Sequence, residues 1–191
     1  TVPTITSFTS TTADGSYKSA GTVNITATAS EAVVATNTIT ATLDTSDNVT
    51  LTAADNGTTL VGTYTVGAGD NSNDLTVSSF SIGTVTDIAG NAMASTTVPD
   101  ANIASGSAIV IDTTAPTITS FTSTTSNGSY KSAGTVNITA TASEAVVADN
   151  TITATLDTSD NVTLTAADNG TTLVGTYTVG AGDNSNDLTV S

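Results

Sequence analysis

Cysteine, histidine, tryptophan and arginine are absent from the 191-residue chain, aromatics make up only 4% of it, and its two basic residues are Lys18 and Lys131. Each absence removes a class of chemistry. Without histidine no side chain has an ordinary pKa near neutrality. Without cysteine there is no thiolate nucleophile, no disulfide and no thiolate metal site. Without arginine there is no bidentate clamp for phosphate or carboxylate. An enzyme acting on a small-molecule substrate is therefore not expected. No apolar run is long enough to cross a bilayer and no basic leader precedes an apolar core, so membrane insertion is not expected either. Seventeen acidic residues give a formal net charge of -15, which repels phosphate backbones and anionic lipid heads and excludes nucleic acid as a partner. The lack of cysteine fits a reducing or an oxidising compartment equally.

What the chain has in quantity is oxygen. Carboxylates, amides and hydroxyls are the ligand set of hard divalent cations, calcium above all, and acids in such excess over bases make Ca2+ the natural counter-charge. Self-similarity then sets the organisation. Residues 1–78 reappear as residues 114–191, with four differences: Val2/Ala115, Ala13/Ser126, Asp14/Asn127 and Thr36/Asp149. Residues 1–113 form one complete repeat, and residues 114–191 form a second copy that lacks the counterpart of Ser79–Asp112. A repeat of this length has the size of an independently folding domain, unlike the shorter units of solenoids. A copy without its closing strand exposes sheet edges or an inner face, so the missing residues are expected in the native array.

Within the repeat the period is two. Thr4–Phe8, Val23–Thr28, Thr38–Leu43 and Val49–Thr52 alternate apolar with hydroxyl side chains, the pattern of strands with one buried and one wet face. Threonine fills about a quarter of the chain, a β-branched choice that favours pleated sheet over helix. The spacing predicts seven strands, at 4–10, 21–29, 38–44, 48–53, 58–66, 75–86 and 106–112. Turn residues separate them, as at Asp14-Gly15, Asn56-Gly57 and Gly67–Asp70. The expected fold is all-β, an immunoglobulin-like β-sandwich in tandem repeats joined end to end. Its core is expected to be light, with Phe8, Tyr64 and Phe80 the large inward residues.

Strand order also places the acids. If strands alternate in direction, the start of the first strand, the 30–37 loop, the 53–58 turn and the 87–105 loop share an N-terminal pole. The 11–20 loop, the 44–48 turn, the 67–74 loop and Asp112 share a C-terminal pole. Asp70, Asp74 and Asp112 then gather at the C-terminal pole, and Glu31 and Asp87 at the N-terminal one, where Glu144 is the equivalent of Glu31 in the second copy. These six are the candidate metal ligands. The connection Asp112-Thr-Thr-Ala-Pro116 is short and stiffened by its proline, so carboxylates of consecutive repeats are expected to crowd and to require a cation between them. Turn chemistry alone accounts for Asp14, Asp44, Asp47, Asp55 and Asp100. The stretch Gly69–Asp74 spaces oxygens like a calcium loop but lacks the glycine and distal glutamate of the EF-hand.

Read in order, five segments resemble the bacterial immunoglobulin-like repeat of very large surface proteins, the RTX-type and biofilm-associated adhesins. They are Asp14–Gly21 leading into Val23-Asn-Ile-Thr, Ala29-Ser-Glu-Ala-Val33, Tyr64–Leu75, Thr86-Asp-Ile-Ala-Gly-Asn-Ala92 and Ile111–Pro116. The likeness covers the first unit and all that is present of the second. It implies export to the bacterial cell surface and an extender role: tandem blocks that project an adhesive tip, with calcium stiffening the links and neighbouring repeats as partners. The competing expectation is an adhesive module that binds ice, sugar or another surface. Rows of Thr-x-Thr favour it, although the threonines fall on strands separated by varied loops and few aromatics are placed to stack on sugar, Tyr17 and Tyr130 being the loop candidates.

Overall fold

The computed structural model describes all residues, 1–191. They divide into two compact units, Thr1–Thr114 and Ala115–Ser191. In the first unit the alternating segments form β1 (Ile5–Thr9), β3 (Thr22–Ala29), β4 (Thr38–Leu43), β5 (Asn48–Ala53), β6 (Thr59–Thr65) and β8 (Val77–Ile82). Three shorter strands, β2 (Gly15–Tyr17), β7 (Asn71–Ser72) and β9 (Ile109–Asp112), complete it. Strand β3 shows why the pattern works: Val23, Ile25, Ala27 and Ala29 are buried while the residues between them face outward.

The six longer strands make one antiparallel sheet in the order β1-β3-β6-β5-β4-β8. This sheet folds over on itself. Strands β5 and β6 pair at only two rungs, Thr52 with Val61 and Ala53 with Leu60, and beyond them β5 veers across Gly62. A Cβ on Gly62 would collide with the Thr50 carbonyl oxygen and lie 2.7 Å from Leu51 Cδ2, so glycine permits the crossing. At the far ends of the sheet, Phe8 of β1 meets Phe80 of β8 edge to face, ring centroids 5.6 Å apart. The result is an all-β sandwich. Its core of Val, Ile, Leu and Ala holds Phe8, Tyr64 and Phe80 as its largest rings, all buried.

The 3-stranded sheet β2-β9-β7 closes the C-terminal pole, with β9 between a parallel and an antiparallel neighbour. Strands of two and three residues have no period to read. They exist because β9 lies between them. Strand β8 is shorter than its predicted 75–86 span: the Gly83 N–H makes a last bond to β4, on the Thr38 carbonyl at 3.1 Å, and the chain bends at Gly83 and Thr84.

The segment after β8 also departs from the expected single-pole loop. Residues 85–93 do pack at the N-terminal pole, where the Thr86 N–H reaches Asn37 Oδ1 (2.8 Å) and Val33 bridges Asp87. Residues 101–105 lie at the other end. There the Ala101 carbonyl takes the Phe8 N–H (2.9 Å). The Asn102 side chain bonds both the N–H and the carbonyl of Val77, at 3.0 and 2.9 Å. Asn102 also caps the 3-10 turn Ile103–Ser105. Adjacent residues thus join β1 to β8 and clasp the open side of the sandwich.

The second unit has β10 (Ile118–Thr122), β11 (Thr135–Ala142), β12 (Thr151–Thr155), β13 (Asn161–Ala166) and β14 (Thr172–Thr178), in the order β10-β11-β14-β13-β12. Its registers repeat those of the first unit rung for rung. The core is smaller, since nothing corresponds to Phe80, Val85, Met93, Ile103, Ile109 or Ile111. Phe121, the counterpart of the fully buried Phe8, is 40% exposed.

Candidate functional site

The acids of the first unit concentrate at its two poles. At the C-terminal pole the turn after β6 folds back so that Asp70 Oδ2 accepts from the Tyr64 hydroxyl (2.5 Å) and the Gly67 N–H (2.6 Å). The tyrosine bond, seconded by the backbone bond, holds the Asp70 carboxyl below the usual carboxylate range. Burial, then the bond to Asp70, pushes the Tyr64 hydroxyl up. Asp47, from the β4–β5 turn, approaches the same carboxylate; burial first, and Asp70 beside it second, push Asp47 up. Asp44 anchors the next turn by accepting from Ser72 Oγ (2.5 Å) and the Thr76 N–H (3.1 Å).

Asp112 pairs through its backbone with Asn71, and its Oδ1 accepts the Thr114 N–H at 3.0 Å. Thr113 ties this end to the Asp70 loop, its hydroxyl donating to the Asp70 carbonyl (3.0 Å) and accepting from the Gly69 N–H (3.1 Å). Asp74 engages only through its backbone N–H, on Ser72 Oγ at 3.3 Å, and its side chain is exposed. The C-terminal pole therefore holds two kinds of carboxylate. Asp70 and Asp44 are committed to turn hydrogen bonds, whereas Asp74 and Asp112 keep oxygens facing water and free to meet a hard cation.

At the N-terminal pole Glu31 accepts from the Thr1 hydroxyl at 2.7 Å. Asp87 is 5% exposed and accepts both the N–H and the side-chain amide of Asn91, at 2.7 and 2.6 Å. Those bonds hold its carboxyl below the usual range. Asp87 thus acts as the organiser of its own loop. In the second unit Glu144 is half-buried, and its Oε1 is shielded from solvent without a hydrogen-bond partner. Within neither unit do three or more acidic side chains converge in a group able to hold a metal ion.

The Asp47–Asp70–Tyr64 cluster escaped the sequence, where Asp47 reads as a turn residue and Tyr64 as core. The signal was the six-residue spacing from Tyr64 to Asp70, enough to turn at the end of a strand and come back to the ring's hydroxyl. The same local cluster forms in the second unit, where Asp183 accepts from the Tyr177 hydroxyl at 2.5 Å. It is therefore encoded within the repeated residues and needs nothing from Ser79–Asp112. Of the two loop tyrosines, Tyr17 packs against the core and donates to the Ala13 carbonyl (2.7 Å), while Tyr130 is 42% exposed. No protein-family model matches this chain, and no curated protein matches it.

Proposed function

We propose that the chain is a stretch of structural extender repeats from a large secreted bacterial adhesin, which projects a distal adhesive region and is rigidified by calcium where repeats follow one another. One observation carries the reading. The repeat recurs with four differences in 78 positions, all at exposed residues outside the strands, so none of them alters a strand residue or a buried residue of those 78 positions. A module copied this faithfully and joined by a five-residue, proline-containing segment suits reach and stiffness, and it requires no substrate. Calcium enters through the exposed carboxylates Asp74 and Asp112 at the C-terminal pole, with Glu144 of the following repeat as the expected partner. Asp70 and Asp87 are held by hydrogen bonds within their own loops, and Glu31, the equivalent of Glu144, accepts only from the Thr1 hydroxyl.

The test is thermal unfolding of the 191-residue chain in millimolar calcium and in chelator. A ligand that binds only the folded state stabilises it by about 3 kcal/mol at a hundredfold excess over Kd. Calcium should raise the melting temperature, and Asp74→Asn with Asp112→Asn should remove most of the rise. Equal melting in calcium and chelator overturns the calcium component. A surface-binding module is the second reading. It is favoured by threonines that face one another across strands, Thr22 with Thr65, Thr28 with Thr59, Thr38 with Thr52 and Thr40 with Thr50. Its mark would be adsorption to ice or a polysaccharide that Thr40→Lys abolishes.

A further inference from the structure

The turn between β5 and β6 has a chemistry of its own. It carries the dipeptide Asn56-Gly57, which recurs as Asn169-Gly170 between β13 and β14. An asparagine followed by glycine is open to attack on its own side chain, because glycine has no Cβ to keep its nitrogen away from the asparagine Cγ. The fold requires glycine at this place. A Cβ on Gly57 would lie 2.6 Å from Asp55 Oδ1, and a Cβ on Gly170 would lie 2.6 Å from Asp168 Oδ1. A carboxylate therefore stands against each glycine.

The hydrogen bonds that hold the turn spare the reacting atoms. Its ends are fixed by the Ala53 N–H on the Asn37 carbonyl (2.9 Å) and the Ala29 N–H on the Thr58 carbonyl (2.7 Å), and the Val33 N–H reaches the Gly57 carbonyl at 2.8 Å. Asn56 Oδ1 accepts the Ala35 N–H at 2.8 Å, as Asn169 Oδ1 accepts that of Ala148 at 2.9 Å. The Gly57 N–H and Asn56 Nδ2 bond to nothing within the chain, and Asn56 is exposed. The side-chain carbonyl is thus oriented and polarised, while the nucleophile and the leaving group are both unengaged. Other asparagines differ. Asn91 Nδ2 donates to Asp87 Oδ2 and Asn102 Nδ2 to the Val77 carbonyl, and each precedes a residue with a side chain.

We propose that Asn56 and Asn169 are sites of self-modification in the folded repeat, converting through a succinimide to aspartate and isoaspartate with water as the only co-reactant. The Gly57 nitrogen gives up its proton, to the Asp55 carboxylate or to water, and forms a bond to Asn56 Cγ. The Ala35 N–H stabilises the side-chain oxygen as it takes on negative charge. The bond from Cγ to Nδ2 then breaks, and the nitrogen leaves as ammonia with the proton. Water opens the ring at Cγ to give aspartate, or at the main-chain carbonyl to give isoaspartate. Either product replaces a neutral amide by a carboxylate, on the turn that grips the 30–37 loop of Glu31. Isoaspartate also lengthens the main chain by a methylene and withdraws the acceptor from Ala35. None of this depends on the spacer role.

The experiment incubates the folded 191-residue chain at physiological pH and temperature beside the synthetic peptide Ala53–Thr59, whose sequence recurs at 166–172. Both are followed by peptide mapping in a mass spectrometer and by an isoaspartate assay. Asn56 and Asn169 should convert in the folded chain at least as fast as the peptide does, while Asn91 and Asn102 stay intact. Ala35→Pro removes the N–H donor and should slow Asn56 at least about 10-fold relative to Asn169, which serves as the standard within the same molecule. Slower conversion of Asn56 in the unsubstituted chain than in the peptide overturns the proposal. So does an Ala35→Pro chain that folds and still converts both sites equally. If that variant does not fold, the comparison of unsubstituted chain with peptide decides alone.

Discussion

Thr36 has φ at +70°, in the left-handed region where a β-branched side chain is strained. Its N–H holds the Ala53 carbonyl at 2.8 Å, which fixes the turn into β4. The second copy holds Asp149 there, with φ at +66° and the same bond to Ala166. Thr36→Asn keeps the N–H and relieves the strain, so it should stabilise the first unit by about 1 kcal/mol, a rise of roughly 4 °C or more in its melting transition. The Asp70–Tyr64 bond predicts a pH dependence. Asp70 is held below its ordinary pKa, so its contribution is present above about pH 4 and is lost as pH falls through its folded pKa. Tyr64 is pushed up, so stability also falls as pH rises above about 10. Asp47, pushed up beside Asp70, opposes the acid limb in part. In unfolding measured across pH, Tyr64→Phe should flatten both limbs. An unchanged profile would show that the bond does not couple to folding.

Among the elements, β3, β4, β5 and β6, whose two-residue period runs for five or more positions, were legible, because alternation needs only one buried face, whereas in β1 an irregularity between Ile5 and Ser7 shifts the period so that Ile5 and Phe8 are both buried. Strands β2 and β7 were not, since their pairing is supplied by β9 from a distant part of the chain. The long segment between β8 and β9 was equally opaque. It has no period, and the function of Asn102 as a clasp depends on where Val77 ends up in space. Gly62 stands in an otherwise regular strand pattern, and only the crossing of β5 explains it. Gly62→Ala should therefore destabilise the first unit by about 1–3 kcal/mol through forced displacement of Thr50 and Leu51. Denaturant unfolding of the variant checks this, and a neutral effect would mean that the fold-over of the sheet is loose.

For the whole molecule, the repeat and its offset were legible because they are matters of identity, and the placing of acids at the poles followed from strand direction. Which acids are free was not legible. Asp70 and Asp87 look like ligands in the sequence and prove to be engaged by Tyr64, Gly67 and Asn91, while Asp74 and Asp112 retain exposed oxygens. The account rests on such carboxylates drawing calcium between consecutive modules and so fixing the angle at which one follows the next. The direct measurement is small-angle X-ray scattering of the 191-residue chain at fixed ionic strength, first in calcium and then in chelator. The account predicts that chelation changes the maximum dimension and broadens the distance distribution, and that restoring calcium reverses both. Identical curves in the two conditions would contradict it.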